Sequence, residues 1–102
     1  MAITNTRLST TSPTTVFTAV GQQAITVLYL CNTTGSTVTT NVYVNNGGAS
    51  DDDNTIYSLL ELTANETYVI STEKLILDDS DLVIADANIA DSVTVTVSSI
   101  SV

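Results

Sequence analysis

Apolar and polar residues alternate with a period of two along most of this chain. Val93, Val95 and Val97 alternate with threonines, which is the pattern of a β-strand with one buried face. A second row of the same kind covers residues 38–44, with Val38, Thr40, Val42 and Val44 on the predicted inner face. The repeated period of two predicts half-buried strands rather than helices.

Turn signals separate these apolar runs at intervals of about 8–12 residues, which is typical of sandwiches and barrels. The Asn-Gly pair at residues 46–47 is such a signal, since both residue types tolerate a positive φ. The predicted strands cover residues 16–17, 24–31, 38–44, 55–62, 67–71, 74–77, 82–85 and 93–97. We therefore predict an all-β fold: a single antiparallel β-sandwich, or a Greek-key or jelly-roll-like barrel, of about eight short strands.

Two strands depart from the simple pattern. After Val97 two serines are adjacent and Ile100 follows, so we predict a β-bulge near Ser98 and Ser99 that turns Ile100 inward. The strand over residues 24–31 is apolar on both faces, which places it between two layers or against another subunit. Its predicted faces are Ile25, Val27, Tyr29 and Cys31 on one side, and Ala24, Leu28 and Leu30 on the other.

The first 20 residues are mostly threonine and serine around Pro13. Only a few apolar side chains interrupt them, so we predict an extended N-terminal arm or edge strand over residues 1–20 and a β-sandwich domain over residues 21–102. An arm of this kind adds a strand to a sheet edge, in its own chain or in a neighbour. Deletion of residues 1–12 is expected to weaken assembly more than folding.

Composition removes several classes of function. The chain has 11 acidic residues and only two basic ones, Arg7 and Lys74, which gives a net charge of −9. Neither nucleic acid nor an anionic membrane surface is therefore an expected partner. There is no histidine, and Cys31 is the single cysteine, which excludes histidine-based catalysis, zinc sites and an intrachain disulfide. We expect neither enzymatic activity nor a cofactor.

No secretory or membrane-spanning segment is visible in the sequence. The longest apolar run, residues 27–31, is far shorter than the ~20 residues that a spanning helix needs. The first residues also lack the apolar core of a signal peptide. We therefore expect synthesis in a cytoplasm.

Two acidic clusters, residues 51–53 and 78–81, are the candidate metal sites. Asp51, Asp53, Asp79 and Asp81 offer hard oxygen ligands that suit Ca²⁺. Neither cluster has the spacing of an EF-hand loop. Solvated turns that keep the protein soluble and discourage edge pairing are therefore the preferred interpretation.

The C-terminal part of the chain resembles small virion structural proteins of tailed bacteriophages. Those chains run through an ETYV-like strand, an LxL segment, a turn ending in Asp, an xVxA strand and a final VTVTVSxI strand. The corresponding positions are residues 66–69, 75–77, 81, 83–85 and 93–100. The Thr-rich start and the Asn-Thr-Thr-Gly turn are also similar, although the Ser-Val end replaces a common acidic residue.

The resemblance implies a non-enzymatic structural protein of a phage particle. The expected role is a capsid decoration (cement) protein, a dimer or trimer that binds the major capsid protein of the virion. One alternative is a tail, neck, baseplate or fibre-attachment protein, and another is a carbohydrate-binding or adhesin-like module, which the absence of tryptophan disfavours. The side chains expected at an interface are Ile3, Leu8, Val16, Phe17, Leu28, Tyr29, Leu30 and Tyr43.

Overall fold

The computed structural model describes residues 2–46, 54–71 and 75–101. Within these residues the chain is all-β, as the alternating pattern predicts, and forms nine strands without a helix. The strands are β1 (Ala2–Arg7), β2 (Thr14–Thr18), β3 (Gln23–Asn32), β4 (Val38–Asn45), β5 (Thr55–Leu62), β6 (Thr67–Ile70), β7 (Leu75–Leu77), β8 (Leu82–Ala87) and β9 (Val93–Ser101).

The strands form two antiparallel sheets in a sandwich-like arrangement. The five-stranded sheet has the order β1-β9-β3-β6, with β7 also paired to β3, and the four-stranded sheet has the order β2-β8-β4-β5. Pairing is nested along the chain, because β1 pairs with β9, β2 with β8, β3 with β6 and β7, and β4 with β5. Successive pairs alternate between the two sheets, so both sheets depend on both halves of the sequence.

The hydrophobic core lies between the sheets and follows the predicted rows. Val93, Val95 and Val97 are fully buried on β9, and Val38 and Val42 are fully buried on β4. Their neighbouring threonines on β9 are only half-buried and face outward. The abundance of threonine in this chain is therefore partly a property of sheet surfaces, where β-branched side chains fit the extended backbone.

The N-terminal segment provides an edge strand to each sheet. β1 lies at the end of the five-stranded sheet and β2 at the end of the four-stranded sheet. Between them, Leu8 is fully buried; its N–H donates to the carbonyl of Val93 and its carbonyl accepts from the N–H of Asp91, both at 2.9 Å. We predicted either an extended arm or an edge strand for residues 1–20, and the described part of this segment forms edge strands.

The predicted bulge occurs between β3 and β9, but its extra residue is Thr26 on β3. Ile25 pairs with Ser99 and Val27 pairs with Ser98, so Thr26 has no partner in the register. The Thr26 hydroxyl donates to the Ser98 carbonyl at 3.1 Å. The placement of the bulge on β9 was therefore wrong, because the hydroxyl of Thr26 stabilises the extra residue on the other strand.

This bulge decides which side chains face the core. β9 keeps its alternation, so Ser99 is buried while Ile100 is 36% exposed, contrary to the inward position predicted for Ile100. On β3 the extra residue changes the phase, so Ile25 and Leu28 both face the core although the sequence pattern places them on opposite faces. A one-residue insertion reverses the facing of every following side chain, and Tyr29 consequently faces outward.

Asn32, at the end of β3, joins the two sheets through its buried amide. Its Nδ2 donates to the carbonyls of Ser36 at 2.7 Å, Leu62 at 3.1 Å and Thr63 at 3.0 Å. Its Oδ1 accepts from the backbone N–H of Thr34 at 2.9 Å and from the hydroxyl of that residue at 2.8 Å. The side chain is fully buried, and its donors reach carbonyls in the turn after β3, at the end of β5 and just beyond β5.

Candidate interaction surface

Five of the eight side chains predicted to contact a partner lie in the core of the single chain. They are Leu8, Val16, Phe17, Leu28 and Leu30. The first three are buried because β1, β2 and the segment between them close the edges of both sheets. The bulge at Thr26 turns the other two inward. This placement corrects their expected role, since a side chain that packs inside the sandwich is not available to a partner.

Tyr43 is also buried, and the reason is a hydrogen-bond network on the four-stranded sheet. Its hydroxyl donates to Asp86 Oδ2 at 2.8 Å, and Asn41 Nδ2 donates to Asp86 Oδ1 at 2.8 Å. The backbone N–H of Leu59 donates to Asn41 Oδ1, also at 2.8 Å. Tyr43 therefore has a structural role instead of the predicted interface role. Sequence reasoning missed this network because its members are far apart along the chain.

The remaining two predicted contacts, Ile3 and Tyr29, share the outer face of the five-stranded sheet. Ile3 pairs with Ser98, which pairs in turn with Val27, and Tyr29 pairs with Val69. Directly paired residues point to the same side of a sheet. The register therefore brings the first strand and the central strand together on one surface.

We call this surface the neutral face: the side chains of β1, β3, β6, β7 and β9 that point away from the core. Its exposed large apolar side chains are Ile3 (68%), Tyr29 (38%), Val69 (48%), Ile76 (71%) and Ile100 (36%). Ala24, Val27 and Cys31 lie half-buried among them. Val69, Ile76 and Ile100 were not among the predicted contacts, although the Leu-Ile-Leu alternation of β7 already places its central residue outward.

Among the described residues, the neutral face carries no carboxylate, in a chain with 11 acidic residues. Its polar positions are Asn5, Thr67, Thr94, Thr96 and Ser98, and its one charged residue is Arg7. Thr96 donates to Asn5 Oδ1 at 2.7 Å, so two of these polar groups already satisfy each other. The described acidic residues lie in turns or on β5 and β8. Half of the described exposed large apolar side chains thus lie on a face whose described residues carry no negative charge.

The candidate calcium ligands have other partners in the described turn. Asp79 Oδ1 accepts from the N–H of Gly21 at 2.8 Å, which ties this turn to the turn after β2. Asp81 Oδ2 accepts from the backbone N–H three residues earlier at 2.9 Å. Asp51 and Asp53 lie outside the described residues. Within the described ranges, no three histidine, cysteine, aspartate or glutamate side chains are grouped so as to hold a metal ion.

An apolar groove of about 310 Å³ opens between the sheets at their β5 and β6–β7 edges. It is lined by Ile25, Leu28, Ile56, Tyr57, Ile70 and Leu75. Beside it, the rings of Tyr57 and Tyr68 meet edge to face, with their centroids 6.2 Å apart. This pair links β5 of one sheet to β6 of the other, so the aromatic side chains contribute to closing the edge of the sandwich.

Comparison with protein-family models, curated proteins and solved structures found no match to this chain. Among the described residues there is no helix long and apolar enough to cross a membrane. The assignment of function consequently depends on the geometry and chemistry of the chain itself, and above all on the neutral face.

Proposed function

We propose that this chain is a non-enzymatic structural protein of a phage virion, and specifically a capsid decoration protein that binds the major capsid lattice as an oligomer. The neutral face is the observation that carries the proposal. Five large apolar side chains are exposed together on one sheet, including Ile3 at 68% and Ile76 at 71%. Contiguous apolar surface of this kind marks a site of contact with other proteins.

The distribution of charge supports a surface position on the particle. The net charge of −9 belongs to a chain with two basic residues. Its described carboxylates lie in turns and on the four-stranded sheet, and none lies on a strand of the neutral face. Such a protein would be repelled by packaged DNA, whereas its acidic side favours an outward, solvent-facing orientation.

We further propose that the sandwich is a jelly roll. The nested pairing of β1 with β9, β2 with β8, β3 with β6 and β4 with β5 supports this description, because a jelly roll is a long antiparallel ribbon rolled into two sheets. Jelly rolls recur in viral capsid proteins and in lectins. The fold therefore supports a virion role by analogy, while the neutral face supports it by chemistry.

The N-terminal segment has a place in the same proposal. β1 pairs with β9 alone in its sheet and lies at the sheet edge. An edge strand of this kind is the element that serves as an arm between neighbouring copies, through backbone hydrogen bonds that need no special side chains. In the assembled particle, pairing of β1 with a neighbouring copy would link the two copies through backbone hydrogen bonds.

Copy number in the particle tests the proposed function. Virions produced from the genome that encodes this chain are purified, and the chain is quantified against the major capsid protein by mass spectrometry. A decoration protein is expected on the order of hundreds of copies per particle, as for any component that repeats with the lattice. A few copies per particle would move the chain to the tail or neck, and absence from purified virions would overturn the virion proposal itself.

A further inference from the structure

We propose that the neutral face binds the neutral face of a second copy of this chain, in a two-fold symmetric dimer. The inference rests on the proposed function in one respect, namely that this face is a protein contact. It assigns this face to the contact within the oligomer, so the contact with the capsid lattice is left to other surfaces such as the edge strand β1. A surface that pairs with itself forms a closed dimer, because each copy uses the same patch and no patch is left for a third.

Charge favours a second copy over a charged partner. A basic partner would place its ammonium or guanidinium groups against Ile, Val and Tyr side chains, on strands whose described residues carry no carboxylate on this face, which is costly for a buried charge. An acidic partner would find Arg7 as the one cationic side chain among those described on this face. The surface that matches is itself apolar, rich in hydroxyl groups and free of carboxylates, and the neutral face of another copy has this composition.

The same distribution removes the main obstacle to self-association. Each copy carries a net charge of −9, so two copies repel each other when their carboxylates approach. Contact through the neutral face keeps the described carboxylates at the turns and on the far sheet. The residual repulsion is then long-range and screened by salt over about 8–10 Å.

The two-fold symmetry also keeps the Arg7 side chains of the two copies apart. Arg7 lies on β1, at one edge of the five-stranded sheet, and β6 and β7 lie at the opposite edge. A two-fold axis that runs along the strands in the interface places β1 of one copy over β6 and β7 of the other. Arg7 then meets the hydroxyl of Thr67 at its own level of the sheet, and Ile3 meets the edge that carries Val69 and Ile76.

The face is large enough for a stable contact. β3 and β9 are about 30 Å long at ~3.3 Å per residue, whereas β1 spans about 20 Å, and β6 and β7 together span about 23 Å. With strands ~4.8 Å apart, the projected area is roughly 500 Å² per copy, and the accessible area of protruding side chains exceeds this projection. Stable interfaces bury about 600–1,000 Å² per partner.

Cys31 supplies a native reporter for this contact. It is the single thiol of the chain and lies half-buried on the neutral face, paired with Thr67 and Thr94. Sedimentation velocity between about 1 and 200 µM, the range in which a weak-to-moderate dimer dissociates, gives the mass. The rate at which a maleimide modifies Cys31 is measured on the same samples. At the highest protein concentrations we expect a dimer, in which Cys31 is modified about tenfold more slowly than in the dilute monomer.

Two matched pairs of variants locate the contact. Val69→Glu and Ile76→Glu place a carboxylate on the neutral face, whereas Val20→Glu and Ile89→Glu make the same changes at apolar side chains exposed elsewhere (79% and 41%). The first pair is expected to remain monomeric with fast modification of Cys31, and the second pair to dimerise like the parent chain. If a glutamate variant fails to fold, Val69→Thr keeps the branched shape and is still expected to weaken the dimer.

Each outcome separates this inference from the proposed function. A parent chain that stays monomeric, with Cys31 equally reactive at every concentration, would overturn the inference. Protection of Cys31 only after phage particles are added would overturn it too, while assigning the face to the capsid protein. Loss of the dimer in Val20→Glu would place the contact elsewhere. A dimer that binds no particle would support the inference and contradict the proposed function.

Discussion

Replacement of Asn32 by aspartate is expected to destabilise the protein far more than its isosteric shape suggests. The change keeps the size of the side chain and replaces Nδ2 with an oxygen. That atom faces three carbonyl oxygens, of Ser36, Leu62 and Thr63, at 2.7–3.1 Å. A donor becomes an acceptor opposite three other acceptors, in a site with no exposure to solvent.

The magnitude follows from the number of bonds lost. Each intramolecular hydrogen bond contributes about 1 kcal/mol net, and a buried polar group left without a partner costs a further 1–3 kcal/mol or so. The loss for Asn32→Asp is therefore at least about 3 kcal/mol, out of a total of roughly 5–15 kcal/mol for a domain. Because the free energy of unfolding of a small protein falls by about 1–3 kcal/mol per molar urea, a loss of this size lowers the urea midpoint by roughly 1–3 M.

Urea denaturation of the parent chain and of two variants measures this effect. Asn88→Asp is the matched control, because Asn88 is exposed and uses its Oδ1 to accept from the N–H of Thr39 at 3.0 Å, a role that a carboxylate oxygen keeps. Both variants add one negative charge to the same chain. If Asn32→Asp unfolds within about 0.5 kcal/mol of Asn88→Asp, a range typical of surface substitutions, the amide does not join the sheets as described.

Further changes test the edges of the sandwich. Leu8→Ala is expected to lower the free energy of unfolding by about 2–5 kcal/mol, because Leu8 is fully buried. The burial of Leu8 also replaces the expectation that deletion of residues 1–12 weakens assembly more than folding: the deletion should destabilise the free protein too, and unchanged thermal melting would contradict this. Leu59→Gly is expected to stabilise the protein by about 0.5 kcal/mol, because Leu59 has a φ of 53° and is 70% exposed. Leu60→Gly, at the half-buried neighbouring position, is expected to lower the free energy of unfolding by about 2 kcal/mol. Equal decreases in the free energy of unfolding for both glycine variants, measured by urea denaturation, would refute the strain argument.

The regular parts of the fold follow from the sequence because their information is local. Alternating valines and threonines specify both the β-strand and its buried face, as in β9. Gly and Asn turn signals and short acidic runs mark the ends of strands. The predicted strands over residues 55–62 and 82–85 accordingly coincide with or lie within β5 and β8.

The errors arise where distant residues decide the outcome. The hydroxyl of Thr26 bonds to the carbonyl of Ser98, 72 positions along the chain, and this contact determines on which strand the bulge forms. The burial of Tyr43 depends on a carboxylate 43 positions away. No periodicity reports such contacts. Of the predicted contacts, Ile3 and Tyr29 lie on the neutral face, and its other exposed apolar members emerged only from the register.

The position of β9 has a consequence for synthesis of the protein. This strand lies between β1 and β3 in the five-stranded sheet, yet it is translated after every other strand described. The neutral face therefore does not exist on a nascent chain that ends before residue 93. Until β9 is synthesised, β1 and β3 lack their shared neighbour, and their edges that face it are open to pairing with other chains.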